Sequence, residues 1–268
     1  MAINYNADKD SKAWLVGGTL YWTELDENDK PVGGYRSLGF CDSVDLAAEQ
    51  TTVDLYASLN GARNKVRSVI TENNTTLSIV LRDAQAENIA LILFGDAIQN
   101  AEADATVETI TANLGKTVPL SGIAKDTTTV TMTDVGGGTT YLAGENFVVN
   151  NGSIFFLEDQ TGAANPITDL ESVEVTYDKL SEAVIEGFTK SEVTGALYFE
   201  GENLAEKGEI VKVWIHKASL TPAASYQVYA TEDFGSFQID GSALSSQNSD
   251  IPSGKSKIYK EVREVRSS

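Results

Sequence analysis

The sequence predicts a mainly β protein with one flanking α-helix and a small all-β module inserted into it. Two stretches, Trp14–Glu24 and Thr75–Leu81, alternate between apolar and polar residues as half-buried strands do. One stretch, Asp83–Gly95, repeats its apolar residues at helical spacing. A change in composition separates residues 102–178 from both flanks. We therefore expect a β core whose chain is interrupted by a second, smaller domain.

The charge balance excludes several classes of protein. The 268 residues include 20 Lys and Arg against 39 Asp and Glu, which gives a net charge of −19. A protein that grips nucleic acid through its phosphates needs a basic face, and this chain has few cations from which to build one. Apolar runs such as Ile89–Phe94 are far shorter than the roughly 20 residues of a membrane-spanning helix. The first ten residues lack a secretory pattern and Cys41 is the single cysteine, so we expect a soluble protein, made in a reducing compartment, with no membrane partner.

Turn residues and alternation place the elements before the insert. Strands are expected at Trp14–Glu24, Tyr35–Val44, Ser43–Tyr56 and Thr75–Leu81. The polar cluster Asp26–Gly34 predicts the turn of a hairpin between the first two. For the helix, we expect Asp83 to cap the first turn and Gly95 to end the last one.

The predicted insert has its own composition. Residues 102–178 contain 12 acidic residues against 2 lysines and no arginine. Short strands are expected at Thr127–Met132, Tyr141–Val149, Ser153–Leu157 and Glu171–Tyr177, with a tight turn at Asn150–Gly152. This pattern favours a small Ig-like β-sandwich. The predicted domains are therefore a core of residues 1–101 and 179–268 and an inserted domain of residues 102–178.

Strand signals resume after the insert. They are expected at Val193–Phe199, Ile210–Leu220, Ser225–Ala230 and Gly235–Ala243. The motif Gly195–Phe199 (GALYF) is similar to Gly18–Trp22 (GTLYW), which suggests related places in a two-sheet fold. The last stretch, Lys255–Ser268, has five basic and two acidic residues, a local charge of +3 against −22 for the rest of the chain.

No residue pattern points to catalysis. His216 is the one histidine and lies in an alternating stretch, where a strand-surface residue is the simpler interpretation than a catalytic base. The run Gly136–Gly138 lacks the lysine of a phosphate-binding loop. The acidic stretch Asp26–Asp29 could attract calcium, but it lacks the central glycine and terminal glutamate of a calcium loop, so a hairpin tip is favoured. We expect no enzyme activity and no catalytic, cofactor or metal site, although the many carboxylates leave a glycosidase-type pair open.

Basic residues gather in one internal segment. Ser58–Arg67 carries Arg63, Lys65 and Arg67 beside a turn at Asn60-Gly61. The segment is expected to be a long polar hairpin or loop, and such a loop usually has a function. Two interpretations stay open, a solvated loop tip and a contact with an acidic surface on another copy of the chain.

Several short motifs follow one another in a recognisable order. Before and at the helix they are Tyr35–Gly39, Val44–Leu46, Val53–Tyr56, Thr75–Asp83 and Glu87–Gly95; in the insert Tyr141–Phe147, Asn151–Ile154 and Val173–Tyr177; and afterwards Gly195–Gly201, Lys212–Leu220 and Asp233–Gly241. Together they cover nearly the whole chain. In this order they resemble the major tail protein of long-tailed, non-contractile bacteriophages, the subunit that stacks into the tail tube.

The resemblance implies a two-sheet sandwich or barrel of the tail-tube type, assembled as homohexameric rings around a lumen. It also implies other phage tail proteins as partners, namely tail tip, terminator and tape measure, and a place in the virion tail after assembly in the bacterial host cytoplasm. DNA would pass through the lumen without specific binding, because an acidic wall repels its phosphates. The insert is too large for a DNA-wide bore and is expected to face outward.

Two sets of residues are candidates on that model. Basic candidates for ring-to-ring contacts are Arg63, Lys65, Arg67, Lys255, Lys257, Lys260, Arg263 and Arg266. Acidic candidates for lining the lumen are Glu24, Asp45, Asp54, Glu72, Glu200 and Asp240.

Two other classes of function stay open. An acidic β-sandwich adhesin or virion decoration protein would bind a host surface through the insert and stay discrete in solution, whereas a tube subunit would polymerise. A carbohydrate-active enzyme would lose turnover when single Asp or Glu residues are changed.

Overall fold

A computed structural model of the chain describes residues 13–59, 62–229, 231 and 234–265. The described elements are, in chain order, β1 (Val16–Glu24), β2 (Arg36–Ser37), β3 (Cys41–Leu59), β4 (Ala62–Leu81), α1 (Ala86–Ile92), β5 (Asp96–Asn100), β6 (Ala103–Thr111), β7 (Thr117–Pro119), β8 (Thr131–Asp134), β9 (Thr140–Tyr141), β10 (Phe147–Asn150), β11 (Ser153–Phe156), β12 (Ser172–Lys179), β13 (Glu182–Glu186), β14 (Thr194–Asn203), a 3-10 turn (Leu204–Glu206), β15 (Glu209–Thr221), β16 (Phe237–Ala243) and β17 (Tyr259–Arg263). The predicted mainly β class is confirmed.

The chain folds into two compact units. Unit 1 contains the described residues up to Asp96 and from Glu186, and unit 2 spans Ala97–Ile185. Unit 2 thus interrupts unit 1 in the chain, and it extends a few residues beyond each predicted limit, 102 and 178. The additional residues belong mainly to β5 and β13, which pair with each other as a two-stranded sheet.

One antiparallel sheet forms the body of unit 1. Its strand order is β2-β1-β14-β15-β16-β4-β3, and β17 also pairs with β15. The edge of β15 is shared, since β17 pairs with its residues Val211–Ile215 and β16 with Ala218–Thr221. The similar motifs GTLYW and GALYF are antiparallel neighbours in β1 and β14, with Gly18 opposite Gly201.

The sheet of unit 1 curls around a single core. Leu20 and Trp22 of β1 share this core with Leu77 and Ile79 of β4, although three strands separate β1 from β4 in the sheet order. Buried side chains of α1, β14, β15 and β16 complete it, among them Ile92, Leu197, Ile215, Leu220, Phe237 and Ile239. Alternation along each strand sends every second side chain to this core and leaves the others on the outer surface.

The helix begins and ends differently from the sequence-based prediction. Gln85 is the N-cap, and Asp83 caps no helical N–H; its carboxylate instead accepts the backbone N–H of Gln85, so that prediction is wrong. At the other end Phe94, with φ of 51°, takes the left-handed conformation that usually ends a helix. Gly95 follows because a Cβ there would lie 2.1 Å from the Glu186 carbonyl oxygen.

Unit 2 has two packed sheets. Their strand orders are β6-β12-β8-β9 and β10-β11-β7. Both sheets bury side chains in one core, including Met132, Tyr141, Phe147, Ile154, Phe156, Val173, Val175 and Tyr177. The predicted turn after Asn150 joins β10 to β11, with Asn150 opposite Ser153.

Two further predictions concern the strand at Ser225–Ala230 and membrane-spanning helices. The strand predicted at Ser225–Ala230 is wrong for residues 225–229, which form none, and Ala230 lies outside the described residues. Within the described ranges, no helix has both the length and the apolarity needed to cross a membrane.

Candidate assembly interface

The longest structural feature of unit 1 is the hairpin of β3 and β4. β16 pairs with β4 only between Thr76 and Leu81. Residues 48–59 and 62–75, which we call the arm, form a two-stranded ribbon, and no third strand in the described part of the chain pairs with them. The eleven steps from Ala48 to Leu59 span about 36 Å at the usual rise of a strand. The sequence predicted either a long polar hairpin or a loop around Ser58–Arg67, and the structure has a hairpin.

One face of the arm is charged. Lys65 Nζ lies 2.7 Å from Asp54 Oδ1, and the Ser68 hydroxyl donates to the same oxygen at 2.6 Å. These hydrogen bonds lower the pKa of Asp54. The Arg63 guanidinium lies 4.9 Å from the centre of the Tyr56 ring. Two basic candidates and one acidic candidate are therefore engaged with the arm itself.

The opposite face of the arm, which we call the apolar face, exposes Val53, Leu55 and Val69 beside Arg67. Val53 pairs with Val69 and Leu55 with Arg67, and Val66 is an additional residue that shifts the register beside Leu55. The exposed fractions are 61% for Val53, 61% for Leu55, 51% for Val66 and 50% for Val69. A contiguous apolar surface of this kind indicates a contact with another molecule.

A second surface carries two of the predicted lumen residues. Asp240 of β16 lies opposite Ser78 of β4, and Ser78 lies opposite Asp45 of β3, so the three form a row across the sheet. The Ser78 hydroxyl donates to Asp240 at 2.8 Å, and the Gln238 amide donates to the same carboxylate at 2.9 Å. We call this outer surface of β16, β4 and β3 the acidic face.

The other acidic candidates lie away from the acidic face, either beside lysines or within the arm. Glu200 Oε1 is 3.0 Å from Lys212 Nζ, and hydrogen bonds from Lys212 and Tyr198 lower its pKa. Glu24 lies 3.9 Å from Lys190. Glu72 is exposed in the arm, opposite Thr51.

The basic candidates near the C-terminus belong to the body of unit 1. Lys260 Nζ lies 4.7 Å from the ring of Trp214, and the Arg263 guanidinium lies 4.1 Å from the ring of Trp14. Both residues belong to β17, which sequence reasoning missed. Lys255 and Lys257 are exposed, and Arg266 lies outside the described residues.

An aromatic row on the outer surface was also missed. Tyr21, Tyr198 and Trp214 lie directly opposite one another on β1, β14 and β15, and Lys260 follows on β17. The ring centres are 5.7 Å apart for the first pair and 5.1 Å for the second. The repeated aromatic residue in LYW, LYF and VWI was the signal that could have found this row.

The acidic turn after β1 is held by donors of the chain itself. Asp26 accepts the backbone N–H groups of Asn28 and Lys30, each at 2.8 Å. The Asp29 carboxylate is buried and accepts from Lys217 Nζ at 2.7 Å and from the Gln247 backbone at 2.6 Å. Burial raises the pKa of Asp29, but these two hydrogen bonds outweigh it, so the pKa is lowered. This geometry favours a structural hairpin tip.

A cavity of about 390 Å³ opens where the two ends of the curled sheet meet. Its lining is mostly apolar and comes from β1, β3, β14, β15 and β17, including Val16, Leu20, Val44, Leu46, Phe199 and Val213. Gly18 and Gly201 leave room for the Phe199 ring, because a Cβ at either position would lie within 2.8 Å of its Cζ. Cys41, the single cysteine, lines the cavity, and burial raises the pKa of its thiol. Sequence reasoning did not find this cavity.

The remaining single residue of interest is His216. It follows Trp214 on the outer surface of β15 and is half-buried there. Burial lowers its pKa, and the charge of Lys260 lowers it further, so a neutral imidazole is expected at pH 7.

The fold defines a mainly β protein of two units, with a projecting hairpin on the larger one. The chain belongs to the family described as Protein of unknown function UCP028589, whose model matches residues 13–260. No curated protein matches it.

Proposed function

We propose that the protein is a structural subunit that assembles with copies of itself into stacked rings, which form the tail tube of a bacteriophage with a long, non-contractile tail. The observation that carries this proposal is the arm. A ribbon whose apolar side chains remain in water is costly to an isolated subunit, and a contact with another copy would remove this surface from water.

The sheet of unit 1 supports lateral association as well. Its path ends at β2 on one side and at β3 on the other, and within the described residues no strand pairs with the outer edge of β3. Exposed strand edges pair readily with other chains unless they are blocked. Joining such edges between neighbouring copies would build one continuous barrel, which removes the open edges.

The acidic face is suited to the lumen of such a tube. Asp45 and Asp240 are separated by Ser78, and Thr76, Ser242 and Ser43 lie on the same face, so this surface carries two carboxylates among mostly small side chains. A wall of this kind repels DNA phosphates and keeps a hydrated layer through which DNA slides. Among the six acidic candidates, we assign the lumen to Asp45 and Asp240, because Glu200 and Asp54 form ion pairs with lysines.

The same proposal includes the partners and location that the resemblance implies. These are homohexameric rings, the tail tip, terminator and tape measure proteins, and the virion tail after assembly in the bacterial cytoplasm. Unit 2 would face away from the lumen. Ring-to-ring contacts would involve the arm, with Arg63, Lys65 and Arg67 near its end.

Electron microscopy of the purified protein at rising concentration tests the proposal. We expect rings and then hollow tubes of uniform diameter, with a bore wide enough for duplex DNA. Sedimentation velocity should show a critical concentration for their formation. Discrete monomers at every concentration would instead favour the adhesin or decoration protein, with unit 2 as the binding domain.

A further inference from the structure

We propose that the cavity at the seam of the curled sheet receives the apolar face of the arm from a second copy of the chain. This inference rests on the proposed self-assembly and specifies one of its contacts. The cavity is lined by Val16–Gly18 of β1 and by Ser43, Val44 and Leu46 of β3, two strands near opposite ends of the sheet order. An extended segment that carries apolar side chains at alternate positions can place them against such an apolar lining.

The arm is a segment of that kind. Val53 and Leu55 lie two residues apart on one face of β3, and Val69 lies opposite Val53 on β4. All three are at least half exposed, whereas the cavity walls include Leu20, Val211 and Ile215, which are almost completely buried. Docking would therefore move the three exposed arm side chains from water into apolar surroundings.

Charge favours a second copy as the occupant. Residues 57–69 carry Arg63, Lys65 and Arg67 and no acidic residue, a charge of +3, of which the charge of Lys65 is paired with Asp54. The rest of the chain has a charge of −22. The end of the arm is therefore attracted to the body of another copy, and this attraction speeds the encounter.

The arm cannot fill the cavity of its own chain. Cys41 lines the cavity and Leu55 lies on the same strand fourteen residues further on, which corresponds to about 46 Å along β3. The contact therefore joins two different surfaces of two copies. Repeated from copy to copy, such a contact produces a ring or a filament.

Cysteine cross-linking tests the contact directly. In Leu55→Cys, the new thiol and Cys41 can form a disulfide only between copies, since a disulfide needs Cα atoms about 4–7 Å apart. We expect assembled Leu55→Cys to give disulfide-linked multimers, and cleavage after Glu49 with the protease Glu-C should yield a cross-link between the peptides that contain positions 41 and 55. Thr52→Cys, on the opposite face of the arm, is the matched control and should give at least tenfold less of this product. Adding Cys41→Ser to Leu55→Cys should abolish it.

Alkylation of the wild-type protein gives a second measurement that needs no substitution in the arm. The rate at which iodoacetamide modifies Cys41 should fall at least tenfold when subunits assemble. Tubes in which Cys41 reacts as fast as in free subunits, or in which Thr52→Cys cross-links to Cys41 as well as Leu55→Cys does, would overturn the docking contact and leave self-assembly standing. Subunits that never assemble would overturn both.

Discussion

The apolar face of the arm should control assembly without affecting folding. We consider the double substitution Val53→Thr and Leu55→Thr, which places a β-branched residue suited to a strand at both positions. Fully burying a Val or Leu side chain contributes about 1.5–3 kcal/mol, and 61% of each side chain is still exposed in the subunit. Threonine retains one methyl group, so the loss is about 1 kcal/mol for each residue, or about 2 kcal/mol for each contact.

The corresponding change in association is large enough to measure. At 1.4 kcal/mol for each factor of ten, the critical concentration for assembly should rise about 30-fold. The free energy of unfolding of the subunit should change by less than about 0.5 kcal/mol, because both side chains are largely exposed before assembly. Sedimentation and urea denaturation measure the two quantities on the same samples.

A matched control separates the two faces of the arm. Ile70, paired with Thr52 on the opposite face, is 51% exposed, and Ile70→Thr replaces one β-branched residue by another. We expect Ile70→Thr to leave the critical concentration within about twofold of wild type. An equal effect of Ile70→Thr, or no effect of the double substitution, would refute the assignment of the apolar face.

Three further predictions concern the stability of the subunit and the ionisation of a tyrosine. Asp29→Asn should lower the free energy of unfolding by about 1–3 kcal/mol at pH 7. Because the folded pKa of Asp29 is depressed, this difference should shrink as the pH falls below about 4. Urea denaturation at several pH values measures it. Gly18→Ala should cost about 2–4 kcal/mol, since its Cβ would lie 2.3 Å from a carbonyl oxygen, whereas Gly17→Ala, with 3.9 Å of space, should be tolerated; equal melting temperatures would contradict this. Tyr141 donates to Glu171 at 2.5 Å, and the pKa values of Tyr141 and Tyr259 are both raised to about 12, so Tyr141→Phe should remove one of the late-ionising phenols seen by absorbance at alkaline pH.

Local patterns in the sequence were sufficient to predict much of the fold. β1 was predicted within two residues because its apolar residues alternate and only one face is buried. The helix was found because its apolar residues repeat every three or four positions, although Asp83 does not cap it. The composition shift marked the region of unit 2 because basic residues are scarce and threonines are concentrated there.

The candidate surfaces were less predictable because they depend on pairing between distant strands. The strand predicted at Ser43–Tyr56 covers most of β3, but the arm has no buried face, so alternation did not reveal that β4 begins at Ala62 rather than near Thr75. Nothing in the local sequence places Asp45, Ser78 and Asp240 in one row, since their alignment comes from the registers of two strand pairs. The cavity likewise requires the curvature of the whole sheet.

The interruption of unit 1 by unit 2 determines the order in which the two halves of the proposed contact are synthesised. β3 and β4 pair with each other, so a growing chain can complete the arm before unit 2 has been translated. The cavity needs β14 and β15, which follow unit 2 in the chain. A chain still attached to the ribosome therefore has an arm that can bind another copy, but it lacks the cavity that would bind an arm. An unfinished chain of this kind would end a growing polymer, and only chains with both sheet halves would extend it.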